Sequence, residues 1–366
     1  MTAPHPPHPG PPAGAPAAAP ATPRTFAEAL AAVTAATDPA DLFPADPAAA
    51  GRRHRRLARL LHPDTAPHTH RTEAAAAFLA LGRLWARHGA AAPGSDGTDR
   101  LRTDRHSYRL GATLTTGDIA VLRSATTDDG LDVLLKIPRN PADNDLIEAE
   151  AAALTRLARH GDRRHLAYVP SLVETFRHHD TADPAAAPRQ VNVLARRPGL
   201  HPLTDVLRAH PDGLDPRDAA WMWRRLLVAL GFAHRAGVRH GAVHPEHVLI
   251  HPAEHGLVLV DWCYATTGPH TPATALVERH RSRYPPEVPA RRPVTEATDI
   301  HLATRCIEQL MGPRAPKPMR AFIAGCTLPA EARRPHDAWR LLAELDDLLH
   351  RLYGPRTFRP FHLPPS

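Results

Sequence analysis

The stretch His240-Gly241-Ala242-Val243-His244-Pro245-Glu246-His247-Val248-Leu249, followed twelve residues later by Asp261-Trp262-Cys263, constrains this chain more than any other. Its flanks are legible from elementary chemistry. Asp215-Pro216-Arg217-Asp218 is a helix start, with a capping aspartate, a proline at the first helical position and an acid in the first turn. Trp221, Leu226, Leu227, Leu230 and His234 then form an apolar stripe at helical spacing, and Gly237 ends it. Beyond the loop, Gly256-Leu257-Val258-Leu259-Val260-Asp261 is a nearly continuous apolar run opened by a glycine, the pattern of a buried strand. These patterns place a helix before the histidine-rich loop and a strand after it, with Asp261 at the strand's end.

Upstream, Leu114-Thr115-Thr116-Gly117-Asp118-Ile119-Ala120-Val121-Leu122 is an alternating segment containing Gly117. Leu131-Asp132-Val133-Leu134-Leu135-Lys136-Ile137 is a second segment rich in β-formers. Among 45 basic residues the only lysines are Lys136 and Lys317, so a lysine on this strand stands out from an arginine background. A compact ammonium on a flexible stem fits a pocket that a planar guanidinium does not. Asn144-Asp145-Leu146-Ile147-Glu148-Ala149-Glu150 opens an alanine-rich helix with Leu154 and Leu157 on one face.

Taken in order, these segments resemble the protein-kinase family. The histidine-rich loop resembles the catalytic loop H-R-D-L-K-P-E-N-I-L. Asp261-Trp262-Cys263 resembles D-F-G, and Tyr284-Pro285-Pro286-Glu287 resembles A-P-E. The resemblance implies an α+β, bilobal fold over residues 106–353, with a β-rich N-lobe over about 106–197 and a helical C-lobe over about 198–353. It implies Gly117 over the phosphates of ATP or ADP, Lys136 on the phosphates, Glu150 (in preference to Glu148) holding Lys136, and Asp261 on magnesium. It further implies that Asp299 binds backbone near His240 and that Arg334 pairs with Glu287.

The departures fall on the chemistry. Ala242 and His247 occupy the slots of the catalytic aspartate and the metal-binding asparagine, so no catalytic residue is intact. Loss of a general base alone removes roughly 100- to 10,000-fold of rate. Magnesium takes hard oxygens, which His247 does not offer. Thr115 and Ala120 replace two glycines of the phosphate loop, and Cys263 replaces the D-F-G glycine. Gly241 stands where many of these enzymes carry an arginine that clamps a phosphorylated loop. The spacing of His240, His244 and His247 suits a helical metal site, but the loop they occupy is extended in the family. Lys136, Glu150, Gly117 and Asp261 remain, and the reading is a nucleotide-binding pseudokinase impaired in phosphoryl transfer. Two alternatives stand beside it, an active serine/threonine kinase with non-standard catalytic residues and a structural interaction protein that binds no nucleotide.

The first hundred residues differ in kind. Residues 1–24 are almost wholly Pro, Ala, Gly and His and read as a disordered tail, with neither the basic start nor the apolar core of a signal peptide. Thr25-Phe26-Ala27-Glu28 is a capping box. A basic helix spans about residues 48–61 and ends at His62-Pro63-Asp64; a second helix carries Ala74, Phe78, Leu81 and Trp85 on one face. The eleven residues ending at Asp64 resemble the J-domain pattern Y-R-K-L-A-x-x-Y-H-P-D. Residues 25–92 are thus similar to a J-domain helical hairpin, which implies contact with a DnaK-type chaperone through His62, Pro63, Asp64, Arg55, Arg56 and Arg59, with Arg52 on the same face. A solvated basic helix-turn-helix and a DNA-binding module are the alternatives for this segment.

Residues 93–105 read as a linker, 178–190 as a Pro- and Ala-rich loop, and 354–366 as an unassigned tail. The formal charge of +7 comes from dispersed arginines with few aromatics among them, which disfavours nucleic acid as partner. Three widely spaced cysteines point to a reducing cytoplasm, and no run of 18 apolar residues is present to span a membrane. The combined reading is a J-domain-like co-chaperone or scaffold that carries a pseudokinase and serves a client the sequence does not name.

Overall fold

The computed structural model describes residues 23, 25–44, 46–61, 68–91, 100–179, 187–268 and 271–364. The expected N-terminal tail and the tripeptide His62-Pro63-Asp64 lie outside the described residues. The chain divides into two units between Thr98 and Asp99.

The first unit holds helices α1 (Phe26–Ala35), α2 (Pro47–Leu61) and α3 (Arg71–Ala91). It is a three-helix unit rather than a simple hairpin, because α1 packs on both of the others. The Thr25 hydroxyl accepts from the Glu28 N–H while Glu28 reaches back to the Thr25 N–H, closing the expected capping box. Leu57, Leu61, Ala74 and Leu81 are buried between the helices, joined by Ala29, Val33, Leu42 and Phe43. His54 stacks on Trp85 with ring centroids 4.5 Å apart, and Phe43 meets Trp85 edge-on at 5.0 Å. Arg52, Arg56 and Arg59 are exposed, so the basic face of α2 looks to solvent.

The second unit is a mixed α+β structure, with a curled antiparallel sheet followed by a helical part. The sheet is built from β1 (Arg100–Arg102), β2 (Ser107–Thr116), β3 (Ala120–Thr127), β4 (Asp132–Pro138), β5 (Leu172–His178) and β6 (Arg189–Ala195), in the order β1-β2-β3-β4-β6-β5. Strand β1 lies inside the stretch read as a linker, where Leu101 pairs with Tyr108. Helix α4 (Asn144–His160) packs on β4, β5 and β6. Alternation along β4 sends Val133 and Leu135 into a core with Tyr108, Ala125, Val191 and Val193, while Leu134 and Lys136 face the opposite side.

The helical part contains the short strand β7 (His201–Pro202), α5 (Leu203–Ala209), α6 (Pro216–Arg235), the strands β8 (Val248–His251) and β9 (Gly256–Leu259), then α7 (Glu296–Met311), α8 (Lys317–Cys326) and α9 (Ala338–Tyr353). Asp215 caps α6 by accepting from the Arg217 N–H at 2.9 Å, as its sequence implies. Twelve residues of α6 are buried, so it is a central helix with α7 and α9 packed on it and not a surface helix with one stripe. At Gly231 a Cβ would meet the Trp339 indole nitrogen at 2.5 Å, so glycine permits the close approach of α6 to α9. The C-terminal segment is part of the body: Phe361 is buried beside Trp221, and Arg359 bonds Asp218 at 3.1 Å. Among the described residues, no helix is long and apolar enough to cross a membrane.

Candidate functional site

A cleft of 590 Å³ lies between the six-stranded sheet and the helical part, roofed by Gly117, Ile119 and Leu122 and floored by Leu249, Val258 and Val260. Lys136 enters it from β4, Glu150 from α4, Asp261 from just beyond β9, and His247 from the loop after α6. The residues proposed from sequence to hold nucleotide therefore share one cavity. Glu148 lies outside this group, on the surface, paired with Arg177 at 2.6 Å.

Lys136 Nζ donates to Glu150 Oε1 at 2.9 Å and to Asp261 Oδ1 at 2.5 Å. Burial works to lower the lysine pKa, but the charges facing it, Asp261 foremost, hold it well above its ordinary value. Glu150 also accepts from the Trp262 N–H at 3.2 Å and from Asn192 Nδ2 at 3.1 Å, so this fully buried carboxylate is well supplied with donors. Asp261 adopts a left-handed backbone (φ 65°), which aspartate tolerates better than most residues and which turns its side chain towards the lysine.

The second oxygen of Asp261 belongs to His247, whose Nε2 lies 2.9 Å from Oδ2. The other ring nitrogen, Nδ1, lies 2.8 Å from the carbonyl oxygen of Ala242. Both neighbours are acceptors, so both ring nitrogens carry hydrogen and His247 is an imidazolium. Burial opposes that charge, yet Asp261 outweighs it and raises the histidine pKa. Burial likewise works against the Asp261 carboxylate, but Lys136 and then His247 keep its pKa well below the carboxylate range. Glu150, Lys136, Asp261 and His247 thus form a chain of alternating charge.

His240 behaves oppositely. Its Nε2 donates to the Val260 carbonyl at 2.9 Å and its Nδ1 accepts from the Ala242 N–H at 3.2 Å, the pattern of a neutral ring. Burial lowers its pKa to about 4. The three loop histidines do not converge on one point: the rings of His240 and His247 are 6.3 Å apart, and His244 packs against His280 at 4.3 Å. Ala242 is fully buried and presents a methyl group where the sequence leaves no proton acceptor.

The loop itself is held from below. Asp299 on α7 accepts from the N–H groups of His240 and Gly241, each at 2.8 Å, and from His234 Nε2 at 2.9 Å. Gly241 has φ 76°, and a Cβ there would lie 2.6 Å from the Tyr264 carbonyl. Position 241 thus excludes arginine for a backbone reason. The expected pair of Glu287 and Arg334 is present at 2.7 Å, with both side chains fully buried.

Two features were not foreseen. Arg279 crosses the cleft mouth, bonding Asp118 of the β2–β3 turn and Glu246 of the loop, the latter at 2.7 Å. In a chain with so many arginines no sequence signal marks this one. The other is the His247 bridge to Asp261, which spacing alone does not reveal.

Glu150, Asp261 and Cys263 place possible metal-ligating atoms within 4.8 Å of one another. The Lys136 ammonium already faces all three. Neither oxygen of Asp261 lacks a cationic partner, so the residues as arranged do not fit a magnesium ion. No protein-family model matches this chain, and no curated protein matches it.

Proposed function

We propose that the second unit is a protein-kinase-like, bilobal domain that binds ATP or ADP in the cleft and is impaired in phosphoryl transfer, and that the first unit is a J-domain-like helical module. The protein then acts as a co-chaperone or scaffold whose cleft senses nucleotide. The observation that carries this reading is the Glu150–Lys136–Asp261 chain at the cleft base, set beside a loop in which Ala242 offers no base. An ammonium held on a buried carboxylate is a preorganised phosphate contact. The exposed Arg56 and Arg59 on α2, over buried Leu57 and Leu61, support chaperone contact. Arg55, His62, Pro63 and Asp64 are the other residues proposed for that contact. The free, buried cysteines 263, 306 and 326 support a reducing compartment such as the cytoplasm.

A thermal-shift titration of the full chain with ADP and ATP tests the cleft. Saturation at about 100 times Kd is expected to add about 2.7 kcal/mol of stability, and Lys136→Ala to abolish the shift. Phosphate transfer to generic substrates is expected to be absent. An unmoved melting temperature with both nucleotides refutes nucleotide sensing, and robust transfer lost in Asp261→Ala promotes an active kinase. For the helical unit the measurement is stimulation of a DnaK-type ATPase by the full chain against His62→Gln, with equal effects counting against chaperone recruitment.

A further inference from the structure

Resting on the nucleotide reading above, we propose that this cleft takes its di- or triphosphate without a divalent cation, the protein's own cations supplying the charge that a metal supplies elsewhere.

A hard divalent ion needs oxygen donors with accessible lone pairs and keeps strict octahedral geometry. The acid best placed to serve is Asp261, and both its oxygens are engaged by cations, Oδ1 by Lys136 at 2.5 Å and Oδ2 by His247 at 2.9 Å. A metal reaching Oδ2 must expel the imidazolium, and His247 cannot step aside without also breaking its bond to the Ala242 carbonyl at 2.8 Å. A metal that leaves the imidazolium in place meets a like charge across a single carboxylate. Glu150 offers no substitute, because it is buried and holds Lys136, the Trp262 N–H and Asn192.

Charge balance points the same way. With His247 counted as charged, the cleft lining carries five cationic side chains, Lys136, Arg196, Arg197, His247 and Arg279, against four acids, Asp118, Glu150, Glu246 and Asp261. The lining is therefore positive by one unit before any ion is added. A magnesium ion at a nucleotide site relies on one or two protein carboxylates besides the phosphates, and here both oxygens of Asp261 are taken. Here His247 is the neutralising group. It occupies fixed space beside Asp261 and turns that acid from a metal ligand into the anchor of a second cation facing the phosphates.

The test is ADP binding by the full chain, followed by thermal shift and calorimetry, once with excess EDTA and once with excess magnesium. The affinity in EDTA is expected to equal or exceed that in magnesium. Binding that requires magnesium, weakening tenfold or more in EDTA, overturns the proposal while leaving the nucleotide reading intact. Binding in neither condition overturns both. His247→Asn removes the imidazolium, frees one oxygen of Asp261 and adds an amide oxygen. This variant, once circular dichroism shows it folded, is expected to bind at least tenfold more tightly with magnesium than with EDTA. A folded variant whose two affinities stay equal removes His247 as the cause and refutes the proposed mechanism. The wild-type comparison decides the main question even if the variant does not fold.

Discussion

Asp299 shows how much one buried carboxylate can organise. It has no exposed surface, and it accepts two backbone N–H groups from the loop and one ring N–H from His234. Burial works to raise its pKa, but the His234 hydrogen bond and the charges around it leave it lowered, so the group stays ionised. Removing it strands two buried amides in a loop whose Gly241 is already held at positive φ. Asp299→Ala is expected to cost on the order of 3–5 kcal/mol in urea unfolding, since each unsatisfied buried donor costs roughly 1–3 kcal/mol. Asp299→Asn keeps an acceptor oxygen for the amides and lets His234 change tautomer, so about half that cost is expected. An alanine variant within about 1 kcal/mol of wild type would show that the loop holds itself.

At the scale of elements, the segment after Tyr284 is tied to the helices by one ion pair. Glu287 Oε1 accepts from Arg334 Nη2 at 2.7 Å and from Thr298 Oγ1 at 3.0 Å, tying this segment both to the start of α7 and to the more distant Arg334. Removing one partner of a fully buried pair leaves an uncompensated charge, so Arg334→Met is expected to destabilise by roughly 3–5 kcal/mol. The double change Glu287→Leu with Arg334→Met is expected to recover most of that loss, and a double variant as weak as the single one would show the pair is not coupled. The pair was visible in sequence because acid and arginine sit in recognisable short motifs. The same holds for the Asp215 cap and for Lys136, marked by the scarcity of lysine. Strand β1 was not visible, because Arg100-Leu101-Arg102 is short, polar and without alternation beyond one leucine, and it becomes a strand only through pairing with β2. The Phe361 anchor was hidden too: a lone aromatic in a Pro-rich end carries no periodicity, and only the surface formed by Trp221 and His210 gives it a place. Both failures concern contacts made by tertiary partners, which a local pattern does not encode.

Across the whole molecule, 26 histidines make protonation a global variable, and the buried ones are held in opposed states. His240 and His244 are buried and neutral, their pKa values lowered by burial to about 4 and about 2. For such groups the unfolded chain binds a proton below its ordinary pKa of about 6.5 while the folded chain does not, so stability is complete above that pH and is lost on acidification towards the folded values. Between pH 7 and pH 5 each is expected to cost about 2 kcal/mol of unfolding free energy. His247 works in the opposite sense. Its raised pKa gives stability that is present below the ordinary histidine value and lost as pH rises through the folded one. One such group does not offset two, so the second unit is expected to weaken measurably at pH 5. Urea unfolding followed by tryptophan fluorescence reads this unit, because four of the five tryptophans, 221, 223, 262 and 339, lie beyond Asp99. His244→Gln, which has no proton to take up, is expected to flatten the slope by the share of one histidine. A wild-type midpoint equal at pH 5 and pH 7 would mean that the buried rings open to solvent and titrate normally, and the neutral assignment of His240 and His244 would fall with it.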